Sequence, residues 1–227
     1  MTSRVPHLAP GEVHCWSATL DVPPETSARL YATLSVEERS RSERFRYERD
    51  RQRFIVAHGV LRDLLGRYLE TQPSHIGYAY NAFGKPDLGP ECGGRLKFNL
   101  SHSGNLALVA IAADSNVGVD LESIEERSDY PEIARWFFSS ADLDQLNGYP
   151  PRRYAEAFLG CWTRKEAYLK ARGVGLAVDL DETSDDVDPA KQWSFYRLQP
   201  APGHIGALAI EGTGWRLRQC QLRMHPG

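Results

Sequence analysis

One order of elements occurs twice in this chain, and that repetition constrains the fold more than any single motif does. Residues 13–20 have strand character, and helical patterns follow over about 27–45 and 50–69. In the second of these, Phe54, Ala57, Leu61, Leu64, Leu65 and Tyr68 keep helical spacing, Asp50 stands where a cap is expected, and Thr71, Pro73 and Ser74 stop it. Three short strands come next, over 76–80, 96–100 and 106–112, the last a continuous apolar run suited to a buried strand. After the turn cluster Asp114, Ser115 and Asn116 the order starts again. A strand over 117–122 leads into helices over about 131–138, 140–146 and 154–171, then strands over 193–198, 205–210 and 215–222. Pro150 and Pro151 precede the long helix, and Gly173 and Gly175 end it.

The expected fold class is therefore α+β, with two similar α/β half-domains, residues 1–114 and 115–227, forming a pseudo-dimer whose cleft is the natural binding place. A single mixed α/β domain is the other arrangement open to 227 residues. The composition, 41% hydrophobic and 25% charged, supplies a core without any apolar run of membrane-spanning length. The first residues lack a signal-like apolar stretch, so a cytoplasmic location is expected. With 27 Lys and Arg against 30 Asp and Glu, the net charge of −3 argues against nucleic acid or a membrane surface as a partner. The four cysteines, Cys15, Cys92, Cys161 and Cys220, form no CxxC, which disfavours a zinc ribbon and fits reduced thiols.

Carboxylates mark the second copy. In NVGVDLES, residues 116–123, Val117, Val119 and Leu121 alternate with Gly118, Asp120 and Glu122, so a strand burying the first set turns the second to its other face. Asp120 and Glu122 then share a face at a spacing that can hold one hard cation, with Gly118 leaving it room. An acidic face turned to water has the same spacing. On the long helix, Trp162, Glu166 and Lys170 recur every four residues along one stripe. A surface Glu–Lys pair beside a core tryptophan accounts for that stripe, as does a third carboxylate brought to the acidic strand. Three carboxylates with no convergent His or Cys pair suit Mg²⁺ rather than zinc.

Three further segments carry polar chemistry. Ser101, His102, Ser103, Gly104 and Asn105 place hydroxyl, imidazole and amide donors in one bend, suited to phosphate oxygens and equally to a plain hairpin turn. Gly84, Lys85 and Pro86 form a turn with one protruding cation. Residues 39–53 hold seven arginines against Glu43, Glu48 and Asp50, a local excess of four positive charges interleaved with Phe45 and Tyr47. Such a patch can grip a nucleotide phosphate or simply form a solvated helix surface. The acidic stretch over 181–188 reads as a solvated loop.

No P-loop, HExxH, GxSxG or dinucleotide-binding GxGxxG is present. In order, GKP at 84–86, FNLSHSG at 98–104, GVDLE at 118–122 and WTRKEAYLK at 162–170 resemble the 4′-phosphopantetheinyl transferases over residues 35–175. The length resembles the surfactin-synthetase-type subgroup, a pseudo-dimer in one chain. The resemblance implies Mg²⁺-dependent transfer of 4′-phosphopantetheine from coenzyme A to a serine of an apo acyl or peptidyl carrier protein, releasing adenosine 3′,5′-bisphosphate. It implies that Asp120, Glu122 and Glu166 bind Mg²⁺ with the coenzyme A pyrophosphate. Asp120, Glu166 and Lys170 would be catalytic, Glu166 as base for the serine and Lys170 stabilising the departing phosphate. Lys85, Ser101 and His102 would hold the nucleotide end, and Arg41 and Arg53 the 3′-phosphate, while Glu38 stands where relatives often carry a base. The carrier, acidic and helical, would meet an apolar groove with a basic rim, for which Phe137, Phe138 and Arg127 are candidates; a monomer suffices. A non-catalytic coenzyme A or carrier-binding module and a Mg²⁺-dependent phosphohydrolase are the competing readings.

Overall fold

Alternation along the strands sets the layers of this chain, which a computed structural model describes over residues 7–125, 127–174 and 192–224. Gly175 and the acidic stretch over 181–188 lie outside the described residues. In β1 (Glu12–Thr19), Trp16 and Ala18 face one apolar cluster while Val13 and Cys15 face another. β5 (Leu106–Ala113) divides in the same way, with Ala107, Val109 and Ile111 on one side and Leu108, Ala110 and Ala112 on the other. Burial on both faces is the reason its sequence is an unbroken apolar run.

The first cluster is covered by α3 (Glu48–Tyr68), which contributes Val56, Val60, Leu61, Leu64 and Leu65. The second lies between two sheets, closed by Val117, Val119 and Leu121 of β6 (Val117–Ser123) and by Leu208 and Ile210 of β8 (His204–Glu211). After two short helices, α4 (Tyr130–Phe137) and α5 (Ser140–Asn147), α6 (Pro151–Arg172) runs behind the second sheet, its Ala167 and Ala171 packing on Ala207 and Ala209. The layers thus run helix, sheet, sheet, helix, each apolar face covered by the next.

Three strands of the first sheet correspond to the three of the second. The first sheet has the order β4–β5–β1–β9, with β4 (Leu96–Ser103) and β9 (Arg216–Gln221) at its edges, and the second has the order β6–β8–β7, ending on β7 (Trp193–Leu198). β1 pairs antiparallel with β5 as β6 does with β8, and β4 joins β5 as β7 joins β8. The architecture is a mixed α+β fold of two half-domains.

Local detail departs from the sequence reading in four places. The pattern over 27–45 is two helices, α1 (Pro24–Thr33) and α2 (Val36–Ser42), broken where the Ser35 side chain accepts from Glu38 N and Glu38 reciprocates. Asp50 does not cap α3: the cap position is Tyr47, without a side-chain bond, and Asp50 lies in the first turn. The strand read over 76–80 shrinks to β2 (Tyr78–Tyr80), which pairs only with β3 (Pro86–Leu88) as a separate hairpin. The last strand, read with the second half, crosses back: β9 pairs parallel with β1 of the first.

Candidate functional site

Edge strands from the two sheets meet side by side, β4 against β6, and their side chains do the pairing. From Asn99 onward, every second residue of β4 reaches across. Asn99 Oδ1 accepts from Val119 N at 2.8 Å, Ser101 Oγ donates to Asp120 Oδ1 at 3.0 Å, and Ser103 Oγ accepts from Ser123 N and donates to Glu122 Oε2, both at 3.0 Å. The period-2 pattern of β4 that sequence reading treated as a phosphate-binding turn is therefore, at Ser101 and Ser103, the seat of the two carboxylates.

Helix α6 lies close over the same strand because Gly118 has no side chain. A Cβ there would stand 2.0 Å from the Ala167 carbonyl oxygen and 2.4 Å from Ala171 N. The space that sequence reading left for a cation beside Gly118 is occupied by the helix backbone. One consequence is that Lys170 reaches Asp120 Oδ1 at 2.5 Å and Ser101 Oγ at 3.1 Å.

The electrostatics of the cluster are unbalanced. Asp120 is 4% exposed, and its Oδ2 is buried with no hydrogen-bond partner among the described residues. The Glu122 carboxyl is held above the usual carboxylate range, first by burial and then by the Asp120 charge. Glu166 is raised by burial first, then by Asp120 and Glu122, against the opposing pull of Lys170. The three acids thus feel one another across β6 and α6. Among the described residues no group of three or more His, Cys, Asp or Glu side chains is drawn together in a metal-holding arrangement. An unpaired carboxylate oxygen beside two mutually repelling carboxyls nevertheless has the donor chemistry that a hard divalent cation satisfies.

The expected nucleotide-binding residues divide. His102 is solvent-accessible, yet protein crowding, then the His58 and Lys170 charges, hold its pKa below the ordinary imidazole value. Arg41 lies over the Phe54 ring at 5.5 Å. Arg53 is bound to Asp21 by two parallel bonds of 2.8 and 2.9 Å. Lys85 turns into the joint between the halves, donating to the carbonyls of Ala171 at 2.8 Å and Val117 at 3.3 Å, and burial lowers its pKa to about 8. Asn81 completes that joint by donating to the Gly173 carbonyl at 2.7 Å, where α6 ends in a left-handed glycine with φ of 70°.

Sequence reading missed His58. It lies tilted against Phe54 with 4.1 Å between ring centroids, its Nδ1 lies 3.3 Å from Glu38 Oε1, and it acts electrostatically on His102. Its i, i+4 spacing from Phe54 was the available signal. Glu38 is no substitute for a surface base: it is 2% exposed and pairs with Arg62 Nε at 2.6 Å. Of the expected carrier contacts, Phe138 is buried against Phe158 and Trp162, Phe137 is at the surface, and Arg127 is paired with Asp129. The neighbouring Trp136, which sequence reading passed over, is 78% exposed.

Comparison with known proteins places two family descriptions end to end on the chain. The model for the 4′-phosphopantetheinyl transferase superfamily matches residues 116–216, and the one for the 4′-phosphopantetheinyl transferase N-terminal region matches residues 21–116. The chain is 38% identical over 219 residues to the 4′-phosphopantetheinyl transferase HetI of Nostoc sp., covering 92% of each. It is 35% identical to a putative 4′-phosphopantetheinyl transferase of Synechocystis sp., over 86% of this chain and 75% of that one. With the 4′-phosphopantetheinyl transferase Sfp of Bacillus subtilis it shares 29% identity, over 70% of this chain and 69% of the relative.

Proposed function

This chain belongs to the 4′-phosphopantetheinyl transferase superfamily, and we propose that it moves the 4′-phosphopantetheine arm of coenzyme A onto a serine hydroxyl of an apo acyl or peptidyl carrier protein. The products are the holo carrier and adenosine 3′,5′-bisphosphate. The observation that carries this reading is the donorless Asp120 oxygen beside two carboxyls of raised pKa, with one ammonium adjoining.

Asp120, Glu122 and Glu166 are the residues we assign to Mg²⁺. When bound, the ion supplies positive charge to the pyrophosphate oxygens of coenzyme A. Glu166 is the base for the serine proton, directly or through one water, and its raised pKa brings it toward the range where proton transfer is efficient. Lys170, held between Asp120 and Ser101, is the ammonium available to the phosphate that leaves with the nucleotide. Ser101 serves by orienting Asp120, and Lys85 by tying α6 to the first half. Arg41 brings the positive charge for the 3′-phosphate, and His102 a ring N–H donor; Arg53 joins them only by exchanging Asp21 for that phosphate.

Trp136, Phe137 and Arg127 are the exposed groups we assign to the carrier, and a monomer suffices because one chain supplies both sides of the joint. No helix among the described residues is long and apolar enough to cross a membrane. The test is intact-mass measurement of apo carriers from fatty-acid, polyketide and peptide synthesis after incubation with coenzyme A and Mg²⁺. One added phosphopantetheine on at least one carrier is expected, and its loss on Asp120→Ala. No addition to any of them rejects the proposal.

A further inference from the structure

One helix carries a buried cation that the chemistry assigned above does not use. On α6, Glu166 lies within the field of Asp120 and Glu122, whereas Lys165, one position earlier and so about 100° round the helix, turns to the corner between α4 and α5. Lys165 is 4% exposed, with its Nζ 2.8 Å from Asp142 Oδ2 and 5.6 Å from the centre of the Phe138 ring. Asp142 also closes the capping box of α5. Its Oδ2 accepts from Ser139 N at 3.2 Å and from Ser139 Oγ at 2.8 Å, and its own N–H donates to Ser139 Oγ at 3.2 Å. The ammonium therefore grips the start of α5, directly after the segment that bears the exposed Trp136 and Phe137.

Helices of eight residues do not hold themselves in water, so α4 and α5 take their position from what they pack on. Phe138 rests on Phe158 and Trp162, with ring centroids 5.2 and 6.4 Å away. Ring packing is attractive over a range of offsets, which holds the corner down without fixing where it sits. A buried ammonium is stricter, because it is tolerated only where a carboxylate meets it. Apolar side chains of similar volume in place of a buried ion pair are often no less stable. What this pair adds to the aromatic contact is position.

We propose that Lys165 and Asp142 are positioning residues for the carrier protein, their pair holding the corner that bears Trp136 and Phe137 in the one placement, relative to Glu166, that a carrier binds. This rests on the transferase reading above. Without the pair the corner samples other placements, and carrier affinity falls by the fraction of time the competent one is lost, while a carrier once bound reacts as before. The test uses the full chain, an apo carrier that it loads, and the same carrier with its acceptor serine replaced by alanine, whose affinity calorimetric titration reads. Lys165→Met combined with Asp142→Asn is expected to weaken that affinity and raise the carrier KM about tenfold. The kcat at saturating carrier and the KM for coenzyme A stay within about twofold of the parent, and so does neither in a chain whose α6 is generally disturbed. Asp142→Asn alone keeps an acceptor for Ser139 and removes only the charge; a loss of about threefold is expected, and this variant decides if the double one melts far below the parent. Unchanged carrier affinity, or a kcat or coenzyme A KM altered as much as the carrier KM, overturns the proposal. A parent that loads no carrier rejects the transferase reading and this inference with it, whereas a parent that loads one as well as the variants do rejects the inference alone.

Discussion

The two halves share a strand arrangement, but a buried carboxylate in one and a buried carboxylate in the other are treated in opposite ways. In the first half Glu38 and Arg62 are both 2% exposed, and their polar groups are closed off together. Glu38 accepts from Arg62, Ser35 N and His58, while Arg62 also donates to the carbonyls of Pro73 and Ile76 and lies over the Tyr78 ring. In the second half Asp120 keeps one oxygen without a donor, and Glu122 and Glu166 are pushed toward their neutral forms. A satisfied buried pair holds structure, and an unsatisfied carboxylate group is left open to a ligand. The same helix-on-sheet frame therefore carries an anchor on one side and, on the other, the cluster proposed above as the reaction site.

Breaking each side separates the two roles. Glu166→Gln is expected to lower kcat by about 10²- to 10⁴-fold in a carrier-loading assay with little loss of thermal stability, because it removes a base and also relieves repulsion. A large fall in melting temperature would instead make Glu166 a structural residue. Glu38→Ala leaves the Arg62 charge buried and unpaired, and we expect a loss of about 3–5 kcal/mol in urea unfolding. A loss below about 1 kcal/mol would mean the pair is not the anchor described.

Gly118→Ala tests the contact that brings α6 to β6. Forcing a Cβ against the backbone of Ala167 is expected to cost about 1–3 kcal/mol and to reduce activity as well, since it shifts Glu166 and Lys170 from Asp120. Full activity in this variant would uncouple the close approach from the site. The smallest effect is in the pH response, where the halves differ in sign. Glu122 and Glu166 have folded-state pKa values above their unfolded ones, so in chelator they favour the folded state below the ordinary glutamate range, and that contribution disappears as pH rises through the raised values. Glu38 behaves oppositely. Burial raises its pKa, but His58, Ser35 N and Arg62 together bring it below the ordinary value, so its contribution is lost as pH falls through that lowered pKa. Unfolding curves of Glu122→Gln and Glu38→Gln across acid pH should flatten opposite limbs, and the same limb flattened in both would contradict the contrast.

Much of this frame was legible from periodicity. The strands over 13–20, 106–112, 117–122 and 193–198 and the two long helices stand within a few residues of their expected bounds. The break at Ser35 was legible too, since serine followed three residues later by Glu38 is a capping box, but the apolar pattern on either side concealed it. The site was read only in outline. Lys170 meets Asp120, and Glu122 and Glu166 respond to the Asp120 charge, while the sharing of one ion by the three acids stands as a proposal; the partners of Ser101, Lys85 and Arg53 were not visible, because each lies far along the chain.

What the sequence by itself determined was what depends on near neighbours: which runs become strands, which faces they bury, roughly where the two long helices lie, and which acids share a side of β6. Only the tertiary structure decided that β9 returns to the first sheet, that β4 meets β6 through side chains, that Gly118 admits a helix, and that Glu38 is an anchor. The reason is physical. Periodicity records the environment each residue requires, apolar or polar, whereas the identity of the group that satisfies it is settled by packing between segments that the chain order leaves far apart.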